Sequence, residues 1–241
     1  MGAVRVCALL PTFDNPRTIG RVVGEVRKHL DDVIVVDDGS GEEGRAVVAG
    51  LARDGLARVV RRETNGGKGA AVKTGFFSAR EQGFSHALQI DADGQHCTDD
   101  LPRFIAAAVD RPEALILGVP VFDETQPFGR AVGRKISQFW VNFETGGQVI
   151  DDPQCGFRVY PLEEALAAGA RGDRMQFDQE LPVRMIWRGV PVVNLPTRVR
   201  YLAPEEGGVS HFQMFRDNLR ISAMHTGLVF EKLMRFARVG T

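Results

Sequence analysis

The chain has 241 residues, 44% of them hydrophobic and 25% charged, so it is long enough to bury the core of one large domain. Its formal net charge of −1 excludes a strong overall attraction to nucleic acid, and we expect no nucleic-acid partner. The cysteines, Cys7, Cys97 and Cys155, are too scattered for a disulfide framework or a zinc cluster and are typical of a reducing cytoplasm. The sequence has neither an unbroken apolar run of about 18 residues nor the pattern of a signal peptide, so we expect no spanning helix.

Stretches with the periodicity of strands and helices alternate from the N-terminus to about residue 122. In chain order they read RVCALLPTF (strand), TIGRVVGEVRKHL (helix), DDVIVVDDGS (strand), GRAVVAGLARDG (helix), LARVVRR (strand), NGGKGAAVKTGFFSAREQG (turn and helix), HALQIDADGQ (strand), DDLPRFIAAAVDR (helix) and ALILGVPVF (strand). Such alternation predicts an α/β domain with a mostly parallel sheet flanked by helices. The pattern is indistinct from Phe122 to Ile150, and we expect that stretch to carry specificity.

Polar residues gather where the predicted strands end. The first strand ends at 11–14, the second at Asp37 and Asp38, the NGGKG turn follows the third, and Asp91 and Asp93 end the fourth. Ligands bind beyond the carboxyl ends of parallel strands, so these residues predict one shared cleft. Asp91 and Asp93 leave the same side of a strand, where they repel each other unless a cation or a proton lies between them. The cleft therefore suits a nucleoside diphosphate bound together with a divalent cation.

Five motifs, taken in order, resemble those of the family 2 glycosyltransferases of GT-A fold, and within them the branch of dolichyl- and polyprenyl-phosphate sugar synthases. They are PTFDN, VIVVDDGS, NGGKGAA, DADGQH and DDPQCGFRVY. The resemblance runs from about Val4 to Pro196 and is specific in its combination, although each motif alone is common. It implies a GT-A fold and the transfer of a sugar, with inversion, from a nucleotide-diphosphate sugar to an acceptor.

The resemblance also implies roles for residues of the cleft. Asp38 is similar to the acid that holds the nucleotide base. Asp91 and Asp93 are similar to the pair that holds Mg²⁺ or Mn²⁺. Gln95 and His211 are expected to complete the set of metal ligands. The residues expected to bind the nucleotide sugar are Pro11, Thr12, Phe13, Asp14, Asp38, Gly67, Lys68, Asp91 and Ala92.

The segment FDQELPVRMIWRG resembles the start of the family's catalytic helix. Its alignment at Leu181 places Asp178 at the catalytic position, with Glu180 two residues further on as a second catalytic candidate. Acids are also favourable at helix N-termini, so a purely structural role stays open for both. A hydroxyl acceptor requires a general base here, whereas a phosphate acceptor needs little such help.

The acceptor side departs from the pattern of the synthases. GVP stands at 118–120 where they have Gly-Ser-Arg, and His211 takes the place of the lysine in a late Gly-x-Ser-Lys motif. Arg134 and Arg158 remain as the cations expected on the acceptor side. The acceptor therefore stays open between a lipid or polyprenyl phosphate and a soluble molecule.

We expect a GT-A domain over 1–209, with a nucleotide-sugar-binding half at about 1–120 and an acceptor half at about 121–209. An amphipathic helical segment follows over 210–241, with basic residues between its apolar ones. Its apolar residues are Phe212, Phe215, Leu219, Met224, Leu228, Leu233 and Phe236. This segment either packs on the domain or on a second subunit, or makes an otherwise cytoplasmic protein peripheral on the inner membrane face.

Two other classes of protein remain as alternatives. DADG matches the nucleophile motif of haloacid dehalogenase-like phosphatases, but those enzymes carry it on the first strand and here it comes on the fourth. A non-catalytic nucleotide-sugar-binding protein would share the fold, yet the sequence keeps the metal acids, Lys68 and Asp178. We therefore predict a metal-dependent glycosyltransferase.

Overall fold

The computed structural model describes residues 3–122, 128–147, 149–200 and 213–239. Within these ranges the strands are Val6–Thr12 (β1), Val33–Asp37 (β2), Arg58–Arg61 (β3), His86–Gln89 (β4), Leu115–Phe122 (β5), Arg158–Pro161 (β6) and Val192–Val199 (β7). The α-helices are Ile19–Val26 (α1), Glu42–Arg53 (α2), Lys68–Glu81 (α3), Leu101–Asp110 (α4), Phe128–Thr145 (α5), Leu162–Ala167 (α6), Phe177–Ile186 (α7) and Met214–Val239 (α8). The predicted alternation of strand and helix is confirmed.

The strands form one sheet in the order β3-β2-β1-β4-β6-β5-β7. Strand β6 runs antiparallel to its neighbours β4 and β5, and the other neighbouring pairs are parallel. The mostly parallel α/β sheet is therefore confirmed. Because the chain moves to one side of β1 for β2 and to the other side for β4, a crevice forms beyond the carboxyl end of β1.

Strand β1 shows why the parallel strands read as continuous apolar runs. All seven of its residues are buried. Cys7 and Leu9 face the core layer under α3, whereas Ala8 and Leu10 face the layer under α1 and α4. Gly75 of α3 lies against Leu9 so closely that a side chain there would overlap it, so this glycine lets α3 pack directly on the sheet.

Strand β4 is shorter than the sequence predicts. It ends at Gln89, so Asp91 and Asp93 lie in the turn that follows and not on the strand. Gly94 in that turn has a φ of +75°, a conformation that breaks the extended chain and that side chains disfavour. The two acids are therefore brought together by a turn and not by the alternation of a strand.

Helix α8 is one continuous helix of 26 residues, and no helix in the described ranges is long and apolar enough to span a membrane. The predicted apolar stripe is split between two faces. Leu228 is buried and Met224 packs on the core, whereas Phe215, Leu219 and Leu233 are exposed. Phe212 and the side chain of Phe236 fall outside the described part of the chain.

Candidate active site

A cavity of 1420 Å³ opens beyond the carboxyl ends of β1, β2 and β4, and helices α5, α7 and α8 form its opposite wall. Of the residues predicted to bind nucleotide sugar or metal, those that line it are Pro11, Thr12, Phe13, Asp38, Gly67, Lys68, Asp91, Ala92, Asp93 and Gln95. Asp14 instead holds the adjacent loop, since its Oδ1 accepts a hydrogen bond of 2.8 Å from the Gly41 amide. His211, the remaining predicted metal ligand, lies outside the described residues.

Asp38 fixes the glycine-rich turn that precedes α3. Its Oδ2 accepts from the Gly67 amide at 2.7 Å, and its Oδ1 accepts from the Gly66 amide at 3.1 Å and from Arg62 Nε at 2.6 Å. Gly67 has a φ of +102°, and a side chain there would come within 2.7 Å of the Asp173 carbonyl oxygen. This turn therefore requires glycine and presents the N-terminus of α3 to the cavity.

Lys68, the first residue of α3, joins two acids from distant parts of the sequence. Its Nζ lies 2.7 Å from Asp91 Oδ1 and 2.8 Å from Asp178 Oδ2. Burial is the largest single influence and opposes the charge, but Asp178 and Asp91 together outweigh it and raise the pKa of Lys68. The ammonium therefore stays charged and fixes the two carboxylates at one place in the cavity.

The two acids of the DADG turn differ in their electrostatic surroundings. Burial disfavours the Asp91 carboxylate, but Lys68 and then His96, whose Nε2 lies 3.8 Å from Oδ2, lower the pKa of Asp91. Burial and, next, the charge of Asp91 raise the pKa of Asp93, which accepts a hydrogen bond of 3.0 Å from the Gln95 amide. The second negative charge is thus poorly compensated by the protein.

Two further contacts, made by Thr18 and Gly156, fix the DADG turn. Thr18 donates its hydroxyl hydrogen to the Ala92 carbonyl at 2.7 Å, which ties the turn to the start of α1. A side chain at Gly156 would overlap the Asp91 carboxylate, so the glycine of the PQCGF segment leaves the room that this carboxylate occupies. Both contacts fix where the carboxylates point.

The DADG turn supplies some, but not all, of the oxygen ligands that a divalent cation needs. Asp91 and Asp93 offer the hard oxygen atoms that Mg²⁺ and Mn²⁺ prefer, and Gln95 lines the same cavity. Within the described residues, no group of three His, Cys, Asp or Glu side chains is placed to hold a metal ion by itself. A cation at this turn would therefore depend on oxygen atoms of a bound diphosphate or of water for the rest of its ligands.

Asp178 and Glu180 both lie in the first turn of α7, as predicted, but in different surroundings. Asp178 lines the cavity, and its Oδ1 is buried without a hydrogen-bond partner among the described residues. Glu180 points away from the cavity, where it accepts from the Arg171 and Gly172 amides at 3.0 and 2.6 Å and from Arg184. The geometry therefore favours Asp178 over Glu180 for chemistry.

The two predicted acceptor-side arginines also have different places. Arg134 lines the cavity and pairs with Asp152 at 2.6 Å. Arg158 lies in the core and does not line the cavity, which corrects the expectation that it is a cation on the acceptor side. It donates to the backbone carbonyls of Cys155 at 2.6 Å and of Asp178, and the many donors of a guanidinium explain why it is buried among carbonyl groups. Arg158 therefore holds the backbone of Asp178 from the core side.

Several residues on the acceptor side of the cavity were not predicted from the sequence. Arg174 precedes α7, Trp140 and Gln179 come from α5 and α7, and His225 comes from α8. Their only sequence signal is polarity inside amphipathic stretches, such as His225 between Met224 and Leu228 in helix α8. Nothing in the spacing indicates that three separate helices meet at one cavity.

Solved structures share this architecture. One is glucosyl-3-phosphoglycerate synthase from Mycobacterium tuberculosis in complex with Mn²⁺ and uridine-diphosphate-glucose. It superposes with a TM-score of 0.66 and 18% identity over 94% of this chain and 77% of that chain. The predicted GT-A fold, with its mostly parallel sheet, flanking helices and C-terminal helix, is confirmed.

The sequence comparisons then identify the family. The family model for glycosyl transferase family 2 matches residues 7–162, and the chain belongs to that family. Polyprenol monophosphomannose synthase from Mycolicibacterium smegmatis is 31% identical over 205 residues, 80% of this chain and 76% of that protein. UDP-N-acetylglucosamine–dolichyl-phosphate N-acetylglucosaminyltransferase from Methanococcus voltae is 25% identical over 63% of this chain and 67% of that protein.

These relatives bear on the predictions made from the motifs. The resemblance to family 2, and within it to the polyprenyl-phosphate sugar synthases, is confirmed. The protein is a glycosyltransferase, and neither the family model nor these relatives support the phosphatase alternative.

Proposed function

We propose that the chain transfers a glycosyl group from a nucleoside diphosphate sugar to a polyprenyl phosphate, with inversion at the anomeric carbon and with a divalent cation. One observation carries the proposal. The Lys68 ammonium contacts Asp91, in the metal motif, and Asp178, the proposed base, at 2.7 and 2.8 Å. The leaving-group and nucleophile sides of a transfer reaction therefore meet at a single point of the cavity.

The donor is proposed to lie against β1, the DADG turn and the start of α3. The α3 N-terminus and Lys68 present positive charge, which favours a diphosphate at this edge of the cavity. Asp91 and Asp93 are the residues that would hold Mg²⁺ or Mn²⁺, with Gln95 and His211 as further proposed ligands. When bound, such an ion neutralises the charge that develops on the departing diphosphate.

Asp178 is proposed as the general base. Its side chain lines the cavity, and its buried Oδ1 has no hydrogen-bond partner among the described residues, so one carboxylate oxygen is left to accept a proton. A phosphate monoester loses its second proton near pH 6, so an acceptor that still carries this proton would pass it to Asp178. Lys68 holds the carboxylate in place during that transfer, and Arg158 holds the backbone carbonyl of the same residue.

The acceptor is proposed to enter between α5 and α8. Each helix turns a row of apolar side chains outward: Ile136, Phe139 and Phe143 on α5, and Phe215, Leu219, Phe230 and Leu233 on α8. Ile136 and Trp140 also line the cavity beside Ile221 of α8, so the apolar surface continues into the site. This supports a lipid-linked acceptor, as the names of the two relatives suggest, and a peripheral contact with the inner membrane face.

Because α8 walls the cavity, we propose that the active unit comprises both the domain at 1–209 and the segment at 210–241. The halves at about 1–120 and 121–209 then supply the donor side and most of the acceptor side.

A direct assay tests the proposal with purified full-length protein. GDP-mannose, UDP-glucose and UDP-N-acetylglucosamine are each incubated with undecaprenyl phosphate in detergent and Mn²⁺, and products are identified by mass spectrometry and their anomeric configuration by NMR. We expect transfer from one donor, with inversion, that EDTA abolishes. Matched reactions replace the lipid with 3-phosphoglycerate. Transfer to that soluble acceptor alone, or a product with retained configuration, contradicts the proposal.

A further inference from the structure

His225 of α8 connects three helices through one buried side chain. Its Nδ1 lies 2.8 Å from Glu144 Oε1 on α5, and its Nε2 lies 3.0 Å from Gln179 Oε1 on α7. All three residues are almost completely buried. The Trp140 ring stacks on the imidazole with a centroid distance of 6.2 Å. Each wall of the acceptor side of the cavity is thus fastened to the others at this point.

The polar groups of the cluster are buried, so they depend on one another for hydrogen bonds. Both ring nitrogens lie within hydrogen-bonding distance of a buried side-chain oxygen, one on Glu144 and one on Gln179. Burial raises the pKa of the Glu144 carboxyl, and the hydrogen bond from His225 is the main influence that opposes it. Glu144 Oε2 has no hydrogen-bond partner among the described residues. Removal of the imidazole would therefore leave a buried carboxylate uncompensated.

The cluster lies directly next to the proposed base. Gln179 follows Asp178 in the first turn of α7, and both side chains line the cavity together with His225 and Trp140. In this turn the Asp178 amide donates to the Met175 carbonyl at 3.3 Å and the Gln179 amide to the Gln176 carbonyl at 3.1 Å, and Arg158 donates to the Asp178 carbonyl. The contact with His225 adds a side-chain link from this turn to α8 and, through Glu144, to α5.

We propose that His225 is a positioning residue for glycosyl transfer: by bridging Glu144 and Gln179 it holds the first turn of α7, and with it Asp178, at a fixed distance from the acceptor-side helices. The inference rests on the proposed function. A displacement of a reacting group by about 1 Å costs about 10²-fold in rate, so the loss of this bridge lowers kcat. It leaves donor KM unchanged, because the donor contacts come from β1, the DADG turn and α3.

The structure offers a matched control on the same pair of helices. Arg184 of α7 donates two hydrogen bonds, of 3.0 and 3.1 Å, to Glu231 of α8. Neither residue lines the cavity. Glu231→Gln therefore weakens a polar contact between α7 and α8 but removes no group that contacts Asp178 or Gln179, although Arg184 also donates to Glu180.

The test compares full-length His225→Phe with Glu231→Gln. Phenylalanine keeps the ring that stacks on Trp140 and removes both hydrogen bonds. We expect His225→Phe to lower kcat by about 10- to 100-fold at unchanged donor KM, and Glu231→Gln to change kcat less than about 3-fold at equal folded fraction. Glu144→Gln, whose amide oxygen still accepts from Nδ1, should retain most of the turnover. Gln179→Leu should match His225→Phe, and the double variant should lose little more.

Hydrogen exchange measured by mass spectrometry gives a reading that needs no acceptor. We expect His225→Phe to accelerate exchange in a peptide covering 175–181, and Glu231→Gln to act instead on a peptide covering 184–190. Unchanged protection of the first turn, or accelerated exchange with wild-type kcat, overturns the proposal. A wild-type chain that transfers nothing, but whose first turn loosens in His225→Phe, shows that the proposed function has failed while the structural bridge is real.

Discussion

Asp91 and Asp93 are neighbours whose charges the protein compensates unequally. Lys68 and His96 lower the pKa of Asp91, whereas burial and the charge of Asp91 raise the pKa of Asp93, so a bound cation would favour the charged form of Asp93. We predict that UDP or GDP binds at least about tenfold more tightly with Mn²⁺ than without it, and that Asp93→Asn removes this difference. Isothermal titration calorimetry with and without Mn²⁺ measures both quantities.

The control for that experiment is Asp99→Asn, because Asp99 is a highly exposed acid that does not line the cavity. It should keep the wild-type dependence on Mn²⁺. Equal nucleotide affinity in the presence and absence of the metal, or a wild-type response in Asp93→Asn, would show that the DADG turn does not hold the cation.

Asp178 leads to a second prediction, in which the pH dependence of kcat distinguishes a phosphate acceptor from a hydroxyl acceptor. If the acceptor is a phosphate monoester, Asp178→Asn should lower kcat most below about pH 6, where the phosphate keeps its second proton, and less at pH 8. A hydroxyl acceptor would instead give a loss of about 10²-fold or more throughout. Turnover of undecaprenyl phosphate by both proteins from pH 5.5 to 8 distinguishes these cases.

Glu180→Gln is not a neutral control for this series, because Glu180 binds the loop at 171–172 and Arg184. We expect it to lower stability more than turnover per folded molecule. Wild-type turnover by Asp178→Asn at every pH would exclude the base, and a selective loss of kcat in Glu180→Gln would transfer that role to Glu180.

At the scale of elements, the donor half was predictable and the acceptor half was not. Strands such as β1 are buried on both faces, and their ends carry turn residues, so local patterns define them. Helix α5 falls in the stretch without a clear pattern because its apolar residues face both ways: Val141 is buried, whereas Phe139 is 63% exposed. The apolar residues of α8 also face both ways, so the sequence did not predict that they divide into a buried and an exposed face. Periodicity identifies a helix but not which apolar face remains exposed.

The outward faces of α5 and α8 lead to a third prediction. Phe139 and Leu219 are each 63% exposed, and Lys135 and Arg216 lie on exposed parts of the same helices. Apolar residues beside basic ones favour anionic lipid surfaces. We expect the full chain to sediment with phosphatidylglycerol vesicles at low salt and less at high salt, and Phe139→Ser with Leu219→Ser to bind at least several-fold more weakly.

The matched control for this experiment is Val109→Ser with Leu56→Ser. Val109 and Leu56 are 56% and 37% exposed and lie away from the cavity, so this variant should bind vesicles like the wild type. If the full chain stays in the supernatant at low salt, the outward apolar faces of α5 and α8 do not bind a lipid surface. A concentration-dependent dimer in analytical ultracentrifugation that the Phe139→Ser and Leu219→Ser variant loses would then assign them to a second copy.

Across the whole molecule, the site joins parts of the chain that differ in how they are held. The donor side is built on buried strands and on turns fixed by Asp38 and Gly67. The acceptor side is built from helices joined by a few polar contacts, such as those of His225 and Arg184. Sequence motifs identify the donor side because its chemistry lies in short contiguous turns. They miss the acceptor side because its residues meet only after the helices have packed.

The last prediction concerns the pH dependence of the stability of the whole fold and depends on His86, at the start of β4. Its Nε2 donates to the Pro112 carbonyl at 2.9 Å and its Nδ1 accepts from the Ser85 hydroxyl at 2.9 Å, so the neutral ring satisfies both contacts. Burial lowers the pKa of His86. The unfolded chain therefore takes up this proton before the folded chain does, and stability that is fully present above pH 6.5 is lost as the pH falls toward the folded pKa. Each unit of pKa depression corresponds to about 1.4 kcal/mol.

Urea unfolding at pH 8 and pH 5.5 should show a larger loss of unfolding free energy for the wild type than for His86→Asn, although the variant is less stable at pH 8. His29→Gln, at an exposed position, should keep the wild-type difference. An equal loss in the wild type and in His86→Asn would assign the pH dependence to other groups.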